Sequence, residues 1–469
     1  MEFIDVLLDS IRDVKLVMRQ SVKRYSDYLF STIESMNLLE KERRMKTRKT
    51  RAYVPVLVYL LTMSVLFFNI ACSGPLPQKD ISSVLEEAWI TWEEGDVEQA
   101  EEFAKSVSKT QEGRHLLFLT AYVKGKYEES LLHYDNIDPS YSRYAELDRS
   151  VVEAYRHLSR YAEAEQFALS HKMEKDLLSI LEQCSQQPLK ATLSSLTEIP
   201  FAEHPLSEYF PAFEVQIQGQ PVTAHIDTGG TFIHMGVERA QKFGIEVIPV
   251  GVGSHGAQSE EIYFGIARSF RLGEAQLENV PVVAFPFLDQ QEFVIFGTNI
   301  LQQFLSTLDY PNKRLILSPR NSPELQKNHL AMLPVNKTEM PFYLWGEHYM
   351  FARGGVAENH SLNFFIDSGI VSLHPADKGG IRQAAFKSSP SNFRNWGFDL
   401  NEVSKGVFES PLSLSLGSLE QNALLCIAPE NFANSPLGGI EIHGVLSHAF
   451  LNNYAWTLDF DQHRYIFSW

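Results

Sequence analysis

Two acidic triplets carry the chemistry this chain offers: Asp227-Thr228-Gly229 in VTAHIDTGGTFIHMG and Asp367-Ser368-Gly369 in LNFFIDSGIVSLHP. Each follows an apolar, strand-like run, and each opens a block that the other block echoes. One such triplet alone reads as a turn, because Asp, Ser and Gly all favour turns. Two copies at matching places in a duplicated sequence suit a different task. Two carboxyls held near contact cannot both ionise, so they share a proton and titrate as a unit. The ionised member takes a proton from a bound water, and the protonated member donates to the carbonyl under attack. This hydrolysis needs no covalent intermediate, so neither a metal nor any other cofactor is expected.

The elements that must position the triplets are themselves repeated. SFRLGEAQLENVPVVAF (269–285) aligns with SLSLGSLEQNALLCIAP (413–429), which sets Leu272-Gly273 on Leu416-Gly417. The interval from Asp to Leu is 45 residues in the first half and 49 in the second. FGTNILQQFLSTLDYPNKRLILS (296–318) aligns with LSHAFLNNYAWTLDFDQHRYIFS (446–468), and their last eleven residues match without a gap. Self-similarity on this scale predicts two related half-domains.

On these motifs, residues 205–469 resemble the aspartic protease superfamily that includes pepsin and the retropepsins. GQPVTAHIDTGG is similar to the retropepsin strand that leads into the catalytic loop. VIFGTNILQQFLSTLDYPNKRLIL is similar to the strand, hydrophobic-hydrophobic-Gly element, helix and final strand beneath that loop. The resemblance implies a bilobed all-β domain, with a first lobe at 205–322 and a second at 323–469. It implies a polypeptide substrate in the cleft between lobes and a catalytic pair formed by Asp227 and Asp367. Thr228 and Ser368 would cross-link the two loops, and Gly229 and Gly369 would permit their tight backbone.

The stretch 247–267 reads as a β-hairpin with a Gly-rich tip at Gly251, Gly253 and Gly256. By the resemblance this is the mobile flap that closes over substrate; an ordinary surface loop is the other reading. Residues 401–410 would be a shorter counterpart. Three positions depart from the family pattern. Gly230 and Ile370 follow the triplets where pepsins carry a hydroxyl and retropepsins an alanine, and Ile370 is bulky enough to crowd its loop. Ser447 replaces the glycine that Gly297 supplies in the first half. Other site chemistries fit poorly. VGSHG (252–256) lacks the first glycine of a nucleophile elbow, and no His-Glu-x-x-His helix is present.

Residues 80–188 carry a helical pattern with three recurring phrases, at 88–104, 119–134 and 151–168. Their turn positions Gly95, Gly125 and Ser159 lie 30 and 34 residues apart. This resembles the tetratricopeptide repeat, whose stacked helix pairs bind a protein partner or pack on a domain of the same chain. A plain helical bundle is the alternative. The expected fold class is therefore multidomain α + β, a helical repeat domain followed by a bilobed β domain, with a linker at 186–205.

Before the helices, basic residues precede an apolar run from Tyr53 to Ile70 that ends at Ala71-Cys72. Residues 45–71 resemble a bacterial lipoprotein signal with Cys72 as the lipidated residue, although Asn69 departs from the usual lipobox. An uncleaved membrane anchor is the alternative, and both readings place the rest of the chain on the outer side of the membrane. Met45 opens a basic stretch as a signal would, so residues 1–44 are expected to be an extension upstream of the true start.

The chain of 469 residues has a formal charge of −17, and residues 1–71 hold 12 Lys/Arg against 8 Asp/Glu, which leaves −21 on the remainder. Such acidity excludes nucleic acid as a partner, since phosphate binding wants a basic face. Cys184 and Cys426 fall in different domains and are expected to be free, buried thiols. Two further readings compete with a peptidase: a peptide-binding protein on the same scaffold without activity, and a dimer that pairs Asp227 with its symmetry mate.

Overall fold

The computed structural model describes residues 80–255, 258–290, 293–375, 380–400, 406–430, 432 and 436–469. The expected extension at 1–44, the apolar segment and Cys72 lie outside the described residues. So do Gly256 of the hairpin tip and residues 401–405 of its counterpart. Among the described residues, no helix is long and apolar enough to cross a membrane. Asp80–Trp469 forms one compact unit.

The three recurring phrases fold as three helix hairpins: α1 (Ile81–Glu93) with α2 (Val97–Ser106), α3 (Gln111–Val123) with α4 (Tyr127–Asp135), and α5 (Asp148–His157) with α6 (Tyr161–Ser170). A last helix, α7, covers Lys175–Gln186. Gly95, Gly125 and Ser159 each end the leading helix in the left-handed region, with φ of 74, 70 and 58°. The next amide bonds five residues back each time: Asp96 N–H to Thr91 O at 3.0 Å, Lys126 to Ala121 at 2.9 Å, and Arg160 to Tyr155 at 2.8 Å. This satisfies carbonyls that the helix end would otherwise orphan.

These helices pack on the β region. Ala88, Trp92, Val97, Leu116 and Tyr122 share a core with Tyr343, Phe351, Ile440 and Ile442 of the β region. Trp92 Nε1–H donates to Gly438 O at 2.9 Å, and Asn363 Nδ2 donates to Glu94 O at 3.0 Å. Two of the hairpin turns sit on the second lobe, and a Cβ on Gly95 would lie 2.4 Å from Asn363 Nδ2. A Cβ on Gly125 would lie 1.7 Å from the His463 ring.

The β region has a pseudo-twofold plan. In the first half the strands Ile233–Met235, Val294–Gly297, Gln220–Asp227 and Ala212–Ile217 lie side by side. In the second half Phe386–Lys387, Gly444–Ser447, Asn359–Asp367 and Tyr349–Val356 repeat that order. A six-stranded antiparallel sheet joins the halves, built palindromically around the central pair Phe304–Asp309 and Ala455–Asp459. Thr307 faces Thr457 across that pair, with their hydroxyl oxygens 2.6 Å apart. Arg314 Nε donates to Asp309 at 2.7 Å and Arg464 Nε to Asp459 at 2.9 Å, so the repeated Asp-x4-Arg spacing builds the same ion pair twice. Helices followed by a mostly β region of two related halves form the expected α + β class.

The stretch read as a linker holds structure instead. Lys190–Thr192 and Thr197–Pro200 are strands, and the latter forms one edge of the six-stranded sheet. Its sequence Thr197-Glu198-Ile199-Pro200-Phe201 matches Thr338-Glu339-Met340-Pro341-Phe342, which forms the opposite edge, so the duplication starts earlier than 205.

Burial leaves several titratable groups neutral. The Cys184 and Cys426 thiols are free and buried, pushed up to about 11 and about 12. Burial holds His157, His225, His329, His348 and His448 down at about 4, and His115 and His463 at about 3.

Replacing Gly125 with alanine adds a side chain to a left-handed residue, about 1–2 kcal/mol, and drives it into His463. Urea unfolding of Gly125→Ala is expected to show a loss of about 2 kcal/mol or more. A stability equal to wild type would contradict this docking of the helices.

Candidate active site

Each triplet sits where a strand runs out beside a parallel neighbour. Asp227 pairs in register with Gly297, and Asp367 pairs with Ser447. A short helix follows each neighbour, Thr298–Leu301 in the first half and His448–Leu451 in the second. The two strand ends meet across the pseudo-twofold axis, so the structure brings Asp227 and Asp367 together from one chain.

Hydroxyls of the two triplets fasten the loops reciprocally. Thr228 N–H donates to Ser368 Oγ at 3.0 Å, and Ser368 N–H donates to Thr228 Oγ1 at 3.0 Å. Thr228 Oγ1 in turn donates to Ile366 O at 3.3 Å. Both hydroxyl-bearing residues are wholly buried, at 0% exposure, so these bonds form away from competing water.

The carboxyls lie over one another's glycines. A Cβ on Gly369 would stand 2.2 Å from Asp227 Cγ, and one on Gly229 would stand 2.4 Å from Asp367 Cγ. No side chain fits at either position, which is why both triplets end in glycine. Each glycine amide also donates to its own aspartate, Gly229 to Asp227 Oδ1 at 2.8 Å and Gly369 to Asp367 Oδ1 at 2.9 Å. Desolvation, then the charge of Asp227 and a hydrogen bond with it, push the Asp367 carboxyl well above the usual aspartate range. The pair therefore retains a proton that neither carboxyl would keep in water.

The departures from the family pattern are accommodated. Ile370 is half-buried, and the bond from the Gly369 amide to Asp367 matches that of the first loop, so Ile370 does not displace its loop. Ser447 keeps the bond that Gly297 makes, its amide donating to Ala385 O at 3.0 Å as Gly297 donates to Phe232 O at 2.7 Å. Its hydroxyl also donates to Ala384 O at 2.5 Å and caps the following helix at Ala449 N. In the first half Thr298 Oγ1 donates to Thr228 O at 2.8 Å to hold the loop. The second half replaces that bond with a relay. Buried His448 contacts Gln383 Oε1 at 3.0 Å, and Gln383 Nε2 donates to Ile370 O at 2.8 Å.

The stretch 247–267 is a hairpin, as expected, with strands Val247–His255 and Gln258–Leu272. Gly251 and Gly253 lie within its first strand rather than at its tip. Gly251 occupies a break in register between Pro249 and Val252, with φ of 105°. The helical region braces the hairpin's base: Tyr161 and Cys184 pack with Val250, Phe264 and Ile266. In the second half Val407–Glu409 pairs with Leu425–Ile427, so the described part of the counterpart is sheet edge.

Two features near the pair had no motif in the sequence. A small hairpin, Leu373–Pro375 with Ile381–Gln383, is inserted just after the second loop and supplies Gln383. Lys387 follows it, half-buried, and its charge acts on Asp367. The equivalent strand begins six residues after Asp227 but nineteen after Asp367, which marks the insertion. Among the described residues, no three His, Cys, Asp or Glu side chains are grouped to hold a metal ion.

The family described as aspartyl protease matches residues 213–300. This span covers Asp227 and the hairpin; Asp367 lies outside it. The chain is also similar to the solved structure of a retropepsin-like aspartic protease from Rickettsia conorii. The identity is 16%, over 28% of this chain and 93% of that one, with a TM-score of 0.22. No curated protein matches the chain.

The raised Asp367 pKa carries a sign. The folded chain holds a proton that the unfolded chain releases above the ordinary aspartate range, so this group costs stability as pH rises from there toward its raised value. Asp367→Asn removes the cost. Its Tm is expected to exceed that of wild type near neutral pH, with the gap closing towards about pH 4. A gap that is constant across thermal melts from acid to neutral would count against the shared proton.

Proposed function

We propose that this chain is an aspartic endopeptidase that hydrolyses peptide bonds with a water activated by Asp227 and Asp367. The observation that carries the reading is the approach of each carboxyl over the glycine of the other triplet, on loops locked by Thr228 and Ser368. One carboxyl is ionised and takes the proton of a water held between them. The other is protonated and donates to the carbonyl oxygen as it gains charge. Gly229 and Gly369 amides fix one oxygen of each aspartate and leave the other for water and substrate. The hairpin at 247–267 is read as the cover that orders an extended peptide and excludes solvent.

The helical pairs are read as tetratricopeptide-like repeats whose apolar face serves the chain's own second lobe. The apolar segment before Cys72 is read as a lipoprotein signal that tethers the enzyme on the outer side of a bacterial membrane. Conversion of Cys72 to alanine should then release the protein to the soluble fraction and abolish its labelling by a fatty-acid analogue.

Asp227→Asn and Asp367→Asn should each reduce cleavage of an unstructured protein by about a thousandfold or more, the scale of lost acid–base catalysis. Full activity in Asp367→Asn with loss only in Asp227→Asn would favour the symmetric dimer. Inactivity of the wild type from acid to neutral pH would favour a peptide-binding protein.

A further inference from the structure

Lys387 occupies the place in the second lobe that His234 occupies in the first. Lys387 pairs with Val445 and His234 with Ile295, at matching steps of the repeated sheet. The preceding Phe386 is buried against Phe364, Phe393 and Trp396, so the alternation of a strand sends Lys387 out of the opposite face. There its ammonium stands 4.5 Å from the centre of the Phe432 ring, and Asp367 is the described acid whose charge acts on it. His234 is differently employed, its Nε2 2.9 Å from Thr231 Oγ1.

A half-buried ammonium over an aromatic ring is attracted but not neutralised. Asp367 cannot serve as its full counter-ion, because the aspartate pair shares a proton. A carboxylate arriving with the substrate would complete it. On the other lobe the equivalent His234 meets the Thr231 hydroxyl instead, so the two lobes present different side-chain chemistry at this place.

We infer that Lys387 and Phe432 form a subsite beside the aspartate pair that selects an Asp or Glu side chain of the peptide substrate. This inference rests on the endopeptidase reading above. The carboxylate would receive a charge-assisted hydrogen bond from Lys387 Nζ, and its methylene stem would lie along the Phe432 ring.

The test uses the full-length chain and internally quenched peptides that carry Glu, Gln or Lys in turn at each position around the cleaved bond. Wild type is expected to favour Glu over Gln at one position by about tenfold in kcat/KM, the scale of one charge-assisted hydrogen bond. That ratio should fall to about one in Lys387→Met and invert in favour of Lys in Lys387→Glu. Lys387→Arg should preserve the sign of the preference. An unchanged Glu/Gln ratio in folded Lys387→Met would overturn the assignment, as would a shift of the pH profile that is equal for every peptide. Wild type that cleaves none of the peptides would instead overturn the endopeptidase reading itself.

Discussion

The exchange of hydrogen bonds between Thr228 and Ser368 is the constraint on which the rest of this molecule turns. Two acidic groups repel once ionised, and nothing in their own chemistry holds them together. Here the backbone amide of each loop donates to the hydroxyl of the other, in a fully buried setting where water cannot compete. The carboxyls are thereby forced over one another's glycines, and protonation of one is the cheapest relief. Fold and chemistry meet in this one exchange.

The duplicated plan delivers the two loops to that meeting point, but the halves have diverged in how they are braced. The first loop hangs from a threonine hydroxyl through one bond, Thr298 to Thr228. The second depends on His448 and Gln383, with Gln383 also donating to Tyr209 O of the first half at 3.0 Å. Its glutamine comes from an insertion absent in the first half. The closing strands diverged far less. The ion pairs Arg314–Asp309 and Arg464–Asp459 and the facing threonines 307 and 457 keep the symmetry of the shared sheet.

Much of this was legible in the sequence because it depends on local pattern. The triplets, the apolar strands leading into them and the eleven-residue match each report a strand or turn that forms in any context. The matching pentapeptides at 197 and 338 were equally legible, and they mark strands in what composition alone suggests is a linker. Lys387 and Gln383 were not, because their roles come from distances across the chain that no spacing encodes. The glycines of the hairpin illustrate a subtler limit. Glycine announces an unusual backbone, but Gly251 uses its positive φ for a break in register inside a strand, not for a tip. The helical repeats likewise left open whether their face serves a partner or the chain itself; Trp92, Tyr343 and Ile440 in one core answer for the chain.

Seven of the imidazoles that burial holds uncharged, those at about 3 or about 4, bear on the pH range over which the fold holds. Each lowered pKa stabilises the folded chain above about pH 6.5, and that support drains away as the medium acidifies towards each depressed value. Asp367 pulls in the contrary sense, easing as acid increases. The buried imidazoles thus weaken the fold in acid while the aspartate pair does not. The two effects therefore load the fold from opposite ends of the pH scale, the imidazoles on acidification and Asp367 on the approach to neutrality.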